Sequence, residues 1–93
     1  MKDKITQEKI EKYYKLTNKA LKIAKKSVAK SREKDANEII EMVSNYISDA
    51  KYFETKKDFV NAFAALNYAH GWIDSGVRLG IFDVKDNKLF TVK

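Results

Sequence analysis

His70, Asp74 and Arg78 stand one helical turn apart in the run Asp58-FVNAFAALNYAHGWIDSGVRLGIF-Asp83, with Asn67 one turn earlier. On a helix this spacing puts all four on one strip. His70 can then share a hydrogen bond with Asp74, and Asp74 can pair with Arg78 as i and i+4. Such a set suits an anion or a small ligand, with Arg78 and His70 donating and Asp74 orienting them. The preferred interpretation is plainer: a polar strip that satisfies itself and the ends of neighbouring helices. Metal chemistry fits poorly, because the chain has one histidine and no cysteine to offer zinc. No cofactor motif is present: there is no glycine-rich phosphate loop, no Ser-His-Asp arrangement on a rigid site and no carboxylate pair flanking a loop. Small helical-hairpin nucleases use an arginine a few residues ahead of a histidine, and neither Arg32 nor Arg78 stands in that relation to His70. No catalytic residue is assigned, and the chain is not expected to be an enzyme.

A second constellation is electrostatic. Lys12, Lys15, Lys19, Lys22, Lys26 and Lys30 recur at three- and four-residue steps and share roughly 80° of arc on a helix. Residues 1–34 hold 12 Lys and Arg against 4 Asp and Glu, a balance of +8, whereas the remainder carries −2. A pI near 9.5 permits weak binding to nucleic-acid phosphates. The same stripe also keeps a small domain soluble. Aromatic residues are plentiful, but most fall on apolar arcs and are expected in the core or at its edge, with Tyr13 the most exposed ring.

The helices that position these residues follow from apolar spacing. Ile10, Tyr14, Thr17, Leu21, Ala24 and Val28 form a bundle seam that predicts a first helix over about 7–30, capped by Thr6. Asp35 and Glu38 have capping-box spacing and open a second helix over about 36–55, whose buried stripe is Ala36, Ile39, Ile40, Val43, Tyr46, Ile47, Ala50 and Phe53. Lys56-Lys57-Asp58 makes a tight turn with Asp58 as the next cap. The third helix runs over about 59–79 and ends with Gly80 in the left-handed position. It is apolar round most of its circumference, since Tyr68 and Trp72 widen the face formed by Phe59, Ala62, Phe63, Leu66, Ala69, Ile73 and Val77. Gly71, inside a helix, costs about 1 kcal/mol relative to alanine, so it and Gly76 are expected where large neighbours press in.

After Gly80, two β-prone runs flank Asp86-Asn87, which predicts a short hairpin or extended tail over 81–93 lying on the Tyr68/Trp72 flank. The fold class is therefore all-α: an antiparallel up-and-down three-helix bundle in one domain, with a short C-terminal β-hairpin or extended tail. No run approaches the ~20 apolar residues of a membrane span and Met1–Ile5 opens no signal peptide. A chain without cysteine suits a reducing compartment, so a cytoplasmic location without membrane attachment is expected.

The segment NAFAALNYAHGWIDSGVRLGIFDV, preceded by SDAKYFETKKDF, resembles the signature of a small, mostly archaeal family of proteins of unknown function. The likeness covers about Ser48 to Val84 and is looser over the lysine-rich first third. It implies a compact helical bundle of up-and-down topology, and no activity. Function is expected to be non-enzymatic: a module that binds another protein, or a second copy of itself, through the third helix and the tail, or alternatively a nucleic-acid-associated protein using the lysine stripe.

Overall fold

The computed structural model describes residues 4–85. Three helices, α1 (Gln7–Lys25), α2 (Glu33–Thr55) and α3 (Phe59–Arg78), pack against one another, and no strand forms among the described residues. Ile10 of α1 shares a core cluster with Ala50 near the end of α2 and Ala62 near the start of α3. Ala24, Ala36 and Val77 share the other cluster. The helices therefore run up, down and up, and the short connections enforce that order. Tyr14 and Tyr46 pack on both clusters and join them.

The local signals for helix ends act largely as their chemistry requires. Thr6 accepts a hydrogen bond from the Lys9 amide at 3.2 Å, and Asp58 accepts one from the Asn61 amide at 3.2 Å. Gly80 takes φ +77. Its amide donates to the Val77 carbonyl, and the Ile81 amide donates to Gly76 at 2.8 Å. That is a Schellman ending with Ile81 buried behind it. The same motif closes α2, where Lys57 occupies the left-handed position at φ 57 and its neighbour Asp58 donates to the Phe53 carbonyl.

Two boundaries differ from the sequence expectation. α1 stops at Lys25 instead of about Lys30, because residues 27–29 are taken into backbone pairing with residues 81–83. The Ala29 amide donates to the Ile81 carbonyl at 2.9 Å and the Asp83 amide to the Ser27 carbonyl at 2.7 Å, flanking an antiparallel bridge between Val28 and Phe82. α2 begins at Glu33, and Arg32 caps it without a side-chain hydrogen bond. The expected capping box does not form: Asp35 lies inside the first turn and accepts from Arg32 Nε at 3.1 Å.

The C-terminal hairpin is not supported. Its first run, residues 81–84, pairs with the α1–α2 connection, and its second run lies outside the described residues. Nor do residues 81–84 cover the Tyr68/Trp72 flank. Phe82, 1% exposed, presses its ring against Gly76, where a Cβ would meet it at 2.6 Å. Gly71, by contrast, has nothing within 4 Å of a Cβ. Close packing therefore explains Gly76 and not Gly71, because the neighbour that arrives is the chain's own Phe82.

Gly76→Leu is expected to destabilise by about 1–3 kcal/mol through overpacking, lowering the melting temperature by roughly 4–8 °C per kcal/mol for a domain of this size. Gly71→Ala, in dilute solution, should raise stability by up to about 1 kcal/mol. Thermal melts followed by circular dichroism check both signs, and the reverse order would show that the two glycines have been assigned the wrong environments. Lys57→Gly should gain about 0.5–1 kcal/mol by relieving a left-handed non-glycine residue, read from a denaturant midpoint with unchanged slope.

Candidate functional site

The structure divides the predicted polar strip. Asn67, His70 and Asp74 line a cavity of about 350 Å³ between α1 and α3, together with Tyr13, Leu16, Thr17 and Gly71. Arg78 lies instead at a second cavity of about 410 Å³ beside the bridge, with Lys30, Phe82 and Val84. His70 Nε2 stands 3.8 Å from Asp74 Oδ1, both side chains being somewhat over a quarter exposed. That is an ion pair whenever the imidazole carries its second proton, and it is longer than a good hydrogen bond. Neither group is left without a partner, and among the described residues no buried side-chain nitrogen or oxygen is unsatisfied. No buried polar atom of the strip is thus orphaned and aimed at a ligand. Nor do the described residues bring together three or more His, Asp or Glu able to hold a metal ion.

Tyr13, expected to be the most exposed ring, is half-buried in an edge-on contact with Phe63 at 5.0 Å, with the Lys9 ammonium 5.0 Å from the Phe63 ring. The exposed rings are elsewhere: Tyr52, Tyr68 and Trp72 at 59%, 62% and 38%. The lysines are where helical spacing put them as regards solvent, since Lys12, Lys15, Lys19, Lys22, Lys26 and Lys30 are all exposed. Only the first four lie on α1; Lys26 caps it and Lys30 falls in the connection. No ion pair engages any of the six among the described residues.

The outward face of α3 is the feature that the sequence showed only in outline. Val60, Tyr68, Trp72 and Leu79 are exposed large apolar residues, the last just beyond the helix at its C-cap. Asn67, Gly71 and Ser75 are exposed between them. Asp74 and Arg78 are the only residues of α3 from the Asp, Glu, Lys and Arg set. Around Gly71 the surface is open, and a shallow groove of about 330 Å³ lined by Asn67, Tyr68, Trp72 and Ser75 meets the His70 cavity across that glycine. Tyr68 is steadied from behind by the Tyr46 ring of α2, stacked at 5.6 Å. The over-wide apolar arc was legible in the sequence; that residues 81–85 leave it open was not.

A small three-helix bundle with one nearly uncharged helical face is the class these features define. The chain belongs to the family described as protein of unknown function (DUF357), whose model matches residues 12–82. That match bears out the resemblance seen around Ser48–Val84 and extends it through most of α1. It ends on Phe82, the residue that closes the core. No curated protein and no solved structure matches the chain. No helix among the described residues is long and apolar enough to cross a membrane.

Tyr68→Glu should cost on the order of 1 kcal/mol, the worth of one ring stack, whereas Phe82→Ala should cost about 3–5 kcal/mol. Urea midpoints of the two variants check the contrast. Equal losses would mean that the Tyr68 face is as much a part of the core as Phe82.

Proposed function

We propose that the protein is a non-enzymatic protein-interaction module whose binding surface is the outward face of α3. One observation carries this: of the five exposed large apolar side chains, Val60, Tyr68 and Trp72 lie on α3 and Leu79 at its C-cap, with Tyr52 of α2 the fifth. Interfaces deplete charge at their centre and enrich Tyr and Trp, and a contiguous exposed apolar patch marks such a site. The mixed Glu, Asp and Lys residues of α2 and the lysines of α1 offer no comparable surface. The tail proposed as part of the same surface lies mostly outside the described residues, so the proposal rests on α3.

Tagged wild-type chain and a Tyr68→Glu/Trp72→Glu variant, each incubated with native lysate after nuclease treatment, test the proposal. The wild type should retain a bound protein that the variant loses. Identical capture by both would remove α3 from the binding surface.

A second possibility, phosphate-backbone binding through α1, is favoured by the six exposed lysines lacking ion-pair partners. Binding of this kind weakens steeply with salt through counterion release. Titration of RNA and duplex DNA at about 0.15 M ionic strength, where the screening length is ~8 Å, is expected to show weak, sequence-independent binding that charge reversal at Lys15, Lys19 and Lys22 abolishes without changing the melt. Affinity that is unchanged by these reversals would exclude the stripe.

A further inference from the structure

The displacement of Arg78 to the other cavity changes what the space between α1 and α3 can hold. His70, Asp74 and Arg78 together would suit an anion, but no Lys or Arg lines this cavity of about 350 Å³. With His70 neutral, its walls carry one formal charge in a chain of net charge +6, and that charge is the Asp74 carboxylate. Tyr13, Leu16 and Leu66 supply apolar walls. Apolar walls with a few convergent polar groups, in a concavity of this size, are the usual form of a small-ligand site.

Gly71 supplies an independent observation. It stands inside α3 at a cost of about 1 kcal/mol relative to alanine, yet nothing in the chain lies within 4 Å of where its Cβ would be. Packing within the chain does not require it. Backbone laid bare in this way is what a ligand seated flat against a helix needs. Gly71 lines both the cavity and the shallow groove beside Trp72, so the missing side chain joins the two into one passage.

We infer that this passage binds a flat, two-ring heteroaromatic amine, the class to which the aminopurines belong. Asn67 and Asp74 stand two helical turns apart, about 10 Å along the axis at ~1.5 Å per residue, with Gly71 between them. A two-ring molecule lying on the glycine spans that distance. At one end the Asp74 carboxylate accepts from the amine. Its two oxygens offer about four lone-pair sites, so the His70 imidazole at 3.8 Å leaves room for a further donor. At the other end the Asn67 amide is both donor and acceptor, and it matches a ring N–H beside a bare ring nitrogen. Water reaches Asn67, His70 and Asp74 in the free chain, so the ligand replaces solvent there. The same carboxylate repels an anion. This site does not depend on the α3 surface binding a protein.

Amide correlation spectra of the isotope-labelled full chain, titrated with adenine to about 5 mM, test the inference at concentrations above the ~1 mM dissociation constant that so small a ligand should reach. Saturable shifts are expected at Asn67, Gly71 and Asp74 and at Leu16 and Thr17 across the cavity. Purine, which keeps the rings and lacks the amine, should bind roughly tenfold more weakly or worse, because the carboxylate is left without its donor. Asp74→Ala should weaken adenine to the level of purine. Gly71→Leu should abolish binding by filling the passage while keeping the fold, since residue 71 faces open space; a thermal melt of each variant confirms that it is folded. The absence of saturable shifts at about 5 mM adenine, shifts centred on the lysine face of α1, purine binding as tightly as adenine, or undiminished binding by folded Gly71→Leu would each overturn the inference.

Discussion

The contact of Phe82 with Gly76 sets the arrangement of the rest. A ring can lie on α3 at this point only because residue 76 has no Cβ. Full burial of Phe82 is worth about 1.5–3 kcal/mol, and the two hydrogen bonds flanking its bridge to Val28 add about 0.5–1.5 kcal/mol each. Continuing α1 through Lys30 would form helical hydrogen bonds of similar worth, so the burial of Phe82 is what favours the bridge. The chain therefore leaves helical geometry after Lys25, turns through Ser31 at φ 68, and starts α2 at Glu33. Arg32 helps to fasten the same end, donating to Asp35 and, more weakly at 3.5 Å, to the Leu79 carbonyl at the end of α3.

The direction in which residues 81–84 travel decides what remains open. They cross toward the α1–α2 connection and fill the upper core with Ile81, Phe82 and Val84. The opposite flank of α3 keeps Tyr68 and Trp72 in solvent. Surface character is thus segregated by helix: lysine on α1, mixed charge on α2, and an almost neutral face on α3. Three helices with a core rich in alanine gain stability mainly through fit. A neutral face on so small a bundle is costly in solubility unless it serves binding.

What depended on neighbours in sequence was legible. The three apolar stripes, the caps at Thr6 and Asp58, and the left-handed Gly80 each follow from side chains within a turn or two of the feature. What depended on distant pairing was not. Val28 continues the seam of α1 in pattern, yet its backbone is claimed by Phe82 from the far end of the chain. Gly71 and Gly76 look alike in sequence, and only the path of Phe82 separates a packed glycine from an open one. The four strip residues all lie on α3, but the cavity between α1 and α3 gathers Asn67, His70 and Asp74 and leaves Arg78 to another site. The expected capping box failed because the turn before α2 is shaped by Ser31 and Arg32, so the helix starts ahead of Asp35.

Native-state hydrogen exchange at the Ala29 and Asp83 amides tests the central contact most directly, because these two donors exist as bonded groups only if residues 81–83 cross to the α1–α2 connection. With Phe82 seated on Gly76, both amides should be protected to nearly the extent of the core helices, opening only with global unfolding. Exchange at the rate of an unstructured chain while Ile73 and Val43 stay protected would show that residues 81–83 do not hold the connection, and would contradict the account.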